Sequence, residues 1–68
     1  MKVTTLVKTD YFSSRTDDDL GLEFQAFANG NDVEVLFSRG ELRLTGTVHN
    51  VYFVTAALLG RIERDSLV

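Results

Sequence analysis

Leu22-Glu23-Phe24-Gln25-Ala26-Phe27-Ala28-Asn29-Gly30-Asn31-Asp32-Val33-Glu34-Val35-Leu36-Phe37-Ser38-Arg39-Gly40-Glu41-Leu42-Arg43-Leu44-Thr45-Gly46 is the stretch whose reading decides the fold. Apolar residues fall at every second position in 22–26, in 33–37 and in 42–44, the alternation of a strand with one face buried. Asn29-Gly30 is the strongest short hairpin signal, because a type I′ turn needs two positive φ angles that Asn and Gly tolerate. With a two-residue loop there, Ala26 meets Val33, Phe24 meets Val35 and Leu22 meets Phe37. A second two-residue loop at Arg39-Gly40 sets Phe37 against Leu42, Val35 against Leu44 and Val33 against Gly46. Both bends put the apolar set on one side, and a one-residue slip would turn it toward water. Arg39 is a poor occupant of a positive-φ position, which makes the second bend the weaker of the two. A four-residue loop over 29–32 preserves the parity and slides the pairs. The opposite face carries Glu23, Gln25, Glu34, Arg43 and Thr45, with Leu36 as its one apolar member.

Working outward, the C-terminal third changes period. Val51, Val54, Thr55, Leu58, Leu59 and Ile62 recur at three- and four-residue spacing, which predicts a helix near 50–64 with Asn50 as its N-cap. The rival reading continues 47–54 as a strand, since Val48, Tyr52, Phe53 and Val54 are strand formers. Toward the N-terminus, residues 3–11 read as a first strand rich in Val and Thr, suited to an edge that its lysines protect. Residues 12–19 form a polar connection in which Gly21 follows too soon for more than one helical turn. The expectation is one α+β domain over 1–68: an antiparallel meander of three to four strands near 3–11, 21–28, 32–38 and 41–48, packed against one C-terminal helix.

Size and composition narrow the function. A 68-residue chain buries only about 60% of its unfolded surface, so its stability is marginal without a further contribution. It has no cysteine and one histidine, which leaves no disulfide and no nitrogen- and sulfur-ligated zinc site. Association is the remaining supplement. The charge of -3, from 7 basic and 10 acidic residues, disfavours binding to nucleic acid or an anionic membrane. The longest apolar run, 51–59, is about half a membrane span. No signal peptide is evident, because Lys8 and Asp10 interrupt the N-terminal apolar run. A cysteine-free chain suits the cytoplasm.

Searches for chemistry return little. His49 stands alone at a strand-to-helix junction, as a turn or capping residue rather than a general base. The glycines sit at turn-like spacings and form neither a phosphate loop nor a nucleophile elbow. Asp17-Asp18-Asp19 is dense in oxygen, yet three consecutive side chains cannot converge on one ion. It reads as a solvated loop or as a contact for a basic partner. Glu23 and Glu34 on an open face have no burial to separate their roles as acid and base. Exposed aromatics for stacking single-stranded nucleic acid come down to Phe27 beside one cation, Arg43. Ser66-Leu67-Val68 matches a C-terminal groove ligand only at the level of three residues and reads as a frayed tail.

No catalytic, cofactor or metal site is therefore expected, and the chain reads as non-enzymatic. In the predicted C-terminal helix Phe53, Ala56 and Ala57 lie off the centre of the apolar stripe, so its first turns are apolar nearly all round. Either the N-terminal strand folds over Phe53, or the surface meets a protein. The reading favoured here is a small interaction module, binding a partner or forming a homodimer through Tyr52, Phe53 and Ala57, with Asp17, Asp18 and Asp19 as a second contact. A short chain opening at Met1 without catalytic apparatus suits a regulatory factor of phage or mobile-element type. The alternative is a homo-oligomeric structural or nucleic-acid-associated domain.

Overall fold

The computed structural model describes residues 1–12, 19–38 and 40–66, with the backbone alone for 19 and 20. Its elements run β1 (Lys2–Lys8), α1 (Asp19–Gly30), β2 (Glu34–Ser38), β3 (Glu41–Thr47) and α2 (Val48–Ser66). The architecture is α+β, an antiparallel three-stranded sheet in the order β1-β3-β2 with α2 packed against it.

The hairpin of β2 and β3 has the register expected from the alternation, with Phe37 opposite Leu42, Val35 opposite Leu44 and Ser38 opposite Glu41. Only residues 39 and 40 lie between the last of these pairs. Gly40 holds φ +69°, the left-handed region in which glycine escapes a Cβ clash; Arg39 lies outside the described residues. The expected strand over 21–28 is instead helix α1. Of the trio Leu22, Phe24 and Ala26, only Phe24 is buried, at 2% exposure, whereas Leu22 is 61% exposed. Residues 19–30 contain no β-branched side chain. Leu, Glu, Gln and Ala dominate instead and favour the helix. Phe24 and Ala28, four apart, then reach the core together. Gly21 sits within α1, where a single glycine costs about 1 kcal/mol relative to alanine, and the position of its missing Cβ lies 3.8 Å from the Phe37 ring.

Asn29-Gly30 consequently ends a helix rather than turning a hairpin. Asp32, at φ 58°, is the left-handed residue. Val33 N–H donates to Ala28 O at 2.9 Å and Asp32 N–H to Asn29 O at 3.1 Å, the paired bonds of a Schellman C-cap. Asn31 Nδ2 adds a bond to Phe27 O at 2.9 Å.

β1 occupies the place beside β3 that the alternation left unfilled, with Val7 opposite Leu42, Thr5 opposite Leu44 and Val3 opposite Gly46. It ends at Lys8 instead of residue 11 because the chain turns, Thr9 N–H reaching Gly40 O and Tyr11 N–H reaching Thr9 Oγ1. Tyr11 is buried and its hydroxyl donates to Asp65 near the end of α2. The outer sheet face carries Thr4 and Thr45, their hydroxyls 3.0 Å apart, with Leu6 and Leu36 exposed on either side of Arg43.

On the inner face Phe24, Ala28, Val33, Val35, Leu42, Leu44, Val51, Val54 and Leu58 form one buried apolar cluster, with Val7 at its margin. Gly46 of β3 is hemmed in by Asp32, Val33 and Val51. A Cβ there would lie 2.9 Å from Asp32 O and 3.4 Å from Val51 Cγ2. α2 starts at Val48, directly after β3, and its N-cap is Thr47 rather than Asn50: Thr47 Oγ1 accepts a long bond from Asn50 N–H at 3.5 Å.

Candidate interaction surface

α2 buries Val51, Val54 and Leu58, and at 3.6 residues per turn the opposite side is formed by Phe53, Ala56 and Gly60, with Ala57 on one flank. All four are exposed. Tyr52, 76% exposed, stands on the flank of α2. Between Val48 and Gly60 the helix carries no Asp, Glu, Lys or Arg.

α1 borders this face along its other flank. The Phe27 and Phe53 rings are 6.1 Å apart at one end, and Glu23 Oε2 lies 3.6 Å from Arg61 Nη2 at the other. The helices therefore run antiparallel, joined by an aromatic pair and a solvent-exposed ion pair worth at most about 1 kcal/mol. Phe53 does not fold under the N-terminal strand; its ring rests on Phe27 and remains 52% exposed. Phe27 in turn stacks 6.3 Å from Phe24, Phe24 5.6 Å from Phe12, and Phe12 packs on Tyr11 and Phe37. All five phenylalanines thus form one connected series from the core to the surface, so the exposed rings are held by buried ones.

Of the residues singled out from the sequence, Tyr52, Phe53 and Ala57 share the outer side and flank of α2. Asp17 and Asp18 lie outside the described residues, as do Leu67 and Val68; Asp19 opens α1. Phe27, Ala56 and Gly60 complete the surface. The strand reading puts Phe27 on the open sheet face, and the signal for its place in α1 is the spacing of Phe24, Phe27 and Ala28 at i, i+3 and i+4. His49 is exposed in the first turn of α2. Among the described residues no three His, Asp or Glu side chains gather as metal ligands, and no helix is long and apolar enough to cross a membrane.

The fold and this surface define a small two-layer α+β protein with an uncharged aromatic and alanine-rich flank on its helical side. No protein-family model, curated protein or solved structure matches the chain.

Proposed function

We propose that this chain is a non-enzymatic protein–protein interaction module that binds and modulates a partner in the cytoplasm, and that it docks through the outer side of its two helices. The supporting observation is the adjacent pair Phe27 and Phe53, 40% and 52% exposed, beside an uncharged length of α2. Large rings left in water next to alanine and glycine offer a partner apolar area at little entropic cost, because their rotamers are already held by packing. Aromatic residues so placed are the usual anchors of a protein interface.

Site-specific photocrosslinking tests this reading. A benzophenone side chain at position 53, in protein expressed in its native cells, is expected to give discrete protein adducts; the same group at Thr45, on the outer sheet face, is expected to give none. Equal labelling from both positions, or none from position 53, overturns the reading. Phe53→Asp is expected to remove the association while circular dichroism and thermal stability stay close to those of the parent. Unfolding by this substitution would make Phe53 a core residue and remove the surface from consideration.

A further inference from the structure

Beyond the helical surface, we infer that the free edge of β1 takes a fourth strand from another protein, an extended segment with an acidic residue at each end of the paired stretch and apolar residues at alternate positions between. The first argument is backbone hydrogen bonding. β1 lies at one edge of the sheet. Thr9 N–H bonds to Gly40 O in line with the β1–β3 register, and successive residues of an antiparallel strand address alternate sides. Val3, Thr5 and Val7 therefore bond to β3, and the N–H and C=O groups of Lys2, Thr4, Leu6 and Lys8 face outward. None of these bonds to a backbone group among the described residues. The other edge is shorter: by the same alternation β2 presents only Val35 and Phe37, and Val33 N–H just before it is taken by Ala28 O. Groups repeating about every 7 Å along one line match the backbone of an added strand.

The second argument is the wall beside this edge. α1 packs on β2, and α2 packs on β3 and β1, so the flank of α2 turned away from α1 overhangs β1. Val51 lies beside Gly46, which pairs with Val3, and Asp65 accepts from Tyr11 just beyond β1. The helix thus runs the length of the strand. At about 100° per residue Val48, Tyr52 and Leu59 share that flank, and all three are exposed. The helix-side residues of an added strand, those level with Val3, Thr5 and Val7, meet this apolar wall.

The third argument is charge, and it selects the occupant. β1 carries a lysine at each end and no acid. Lys2 stands opposite Thr47, and Lys8 stands opposite Glu41, whose carboxylate lies 3.8 Å from Arg43. Neither lysine has an ion-pair partner among the described residues. A second β1 brought antiparallel in full register would set Lys2 against Lys8 twice, and like charges directly opposite destabilise a strand pair. A strand with Glu or Asp at both ends, six residues apart on the outer face, meets each lysine with its opposite charge. The two lysines therefore turn away a second copy and admit an acidic segment.

Fluorescence anisotropy of labelled heptapeptides with the full chain reads the outcome. Glu-Val-Thr-Val-Thr-Val-Glu, or its leucine or phenylalanine counterpart, is expected to bind, and Lys-Val-Thr-Val-Thr-Val-Lys at least about tenfold more weakly. Lys2→Glu with Lys8→Glu is expected to reverse that order while circular dichroism stays that of the parent. Thr4→Pro removes one outward N–H and no bond to β3, and is expected to weaken binding at least about tenfold. Amide hydrogen exchange gives the second readout: bound peptide is expected to slow Thr4, Leu6 and Lys8 far more than Val3, Thr5 and Val7, which are already bonded. Failure of all three acidic peptides to bind at about 1 mM overturns the inference. So does binding that slows Val35 and Phe37 instead, or binding indifferent to both the charge reversal and Thr4→Pro. Slowing of the β1 edge as protein concentration rises, with no peptide present, would put a second copy there and overturn the acidic occupant.

Discussion

Asn29-Gly30 and Arg39-Gly40 are two dipeptides of the same outward form with opposite fates. The first, the better hairpin sequence, closes a helix, and the second, the poorer one, joins two strands. The chain on either side decides between them. β2 and β3 flank Arg39-Gly40 with Val35, Phe37, Leu42 and Leu44 at matching parity, so pairing sets all four on one side and buries Val35, Leu42 and Leu44. Ahead of Asn29-Gly30 runs a segment without Val, Ile or Thr, which loses little by coiling and gains the joint burial of Phe24 and Ala28. Local turn chemistry permits a bend, but the burial available to its flanks selects it.

The largest test of this contrast lies in the helix. Phe24→Ala is expected to lower stability by about 3–5 kcal/mol, and Leu22→Ala, at a 61% exposed site, by less than about 0.5 kcal/mol. Comparable losses at both sites, measured from urea midpoints, would restore the strand. Next in size are the glycines themselves. Gly40→Val forces a branched side chain into φ +69° and is expected to cost about 2 kcal/mol or more. Gly30→Ala, in helical backbone with nothing within 4 Å of the new Cβ, is expected to raise stability by about 0.5–1 kcal/mol. The opposite signs at two Xaa-Gly sites sharpen the comparison, and equal signs would break it. Smallest is the cap: Asp32→Gly relieves the left-handed strain at φ 58° and is expected to add about 0.5 kcal/mol, read as a small rise in melting temperature.

The β2–β3 register was legible because two independent strands and one bend all demanded the same parity. α2 was legible because Val51, Val54, Leu58 and Ile62 hold their spacing over three turns, and Tyr52, Phe53 and Ala57 followed from it as surface. α1 was hidden because a five-residue alternation is short enough for a helix to satisfy by accident, with Leu22 and Ala26 exposed. The absence of β-branching in residues 19–30 was the available counter-signal. Phe27 was lost to the candidate surface for the same reason, since its position beside Phe53 exists only when residues 19–30 coil. β1 reads as an edge strand, but its partner does not follow from its own alternation, because both free edges of the expected meander were open to it.

β3 passes into α2 between Thr47 and Val48 with no intervening residue, and at Gly46, just upstream, even a Cβ would crowd Asp32 and Val51. The sheet and α2 therefore have no linker between them. On the proposed reading, a partner would meet a surface whose ordering cost is already met during folding. One residue inserted at this seam would turn α2 by about 100° about its axis, carrying Val51, Val54 and Leu58 out of the core along with the aromatic flank.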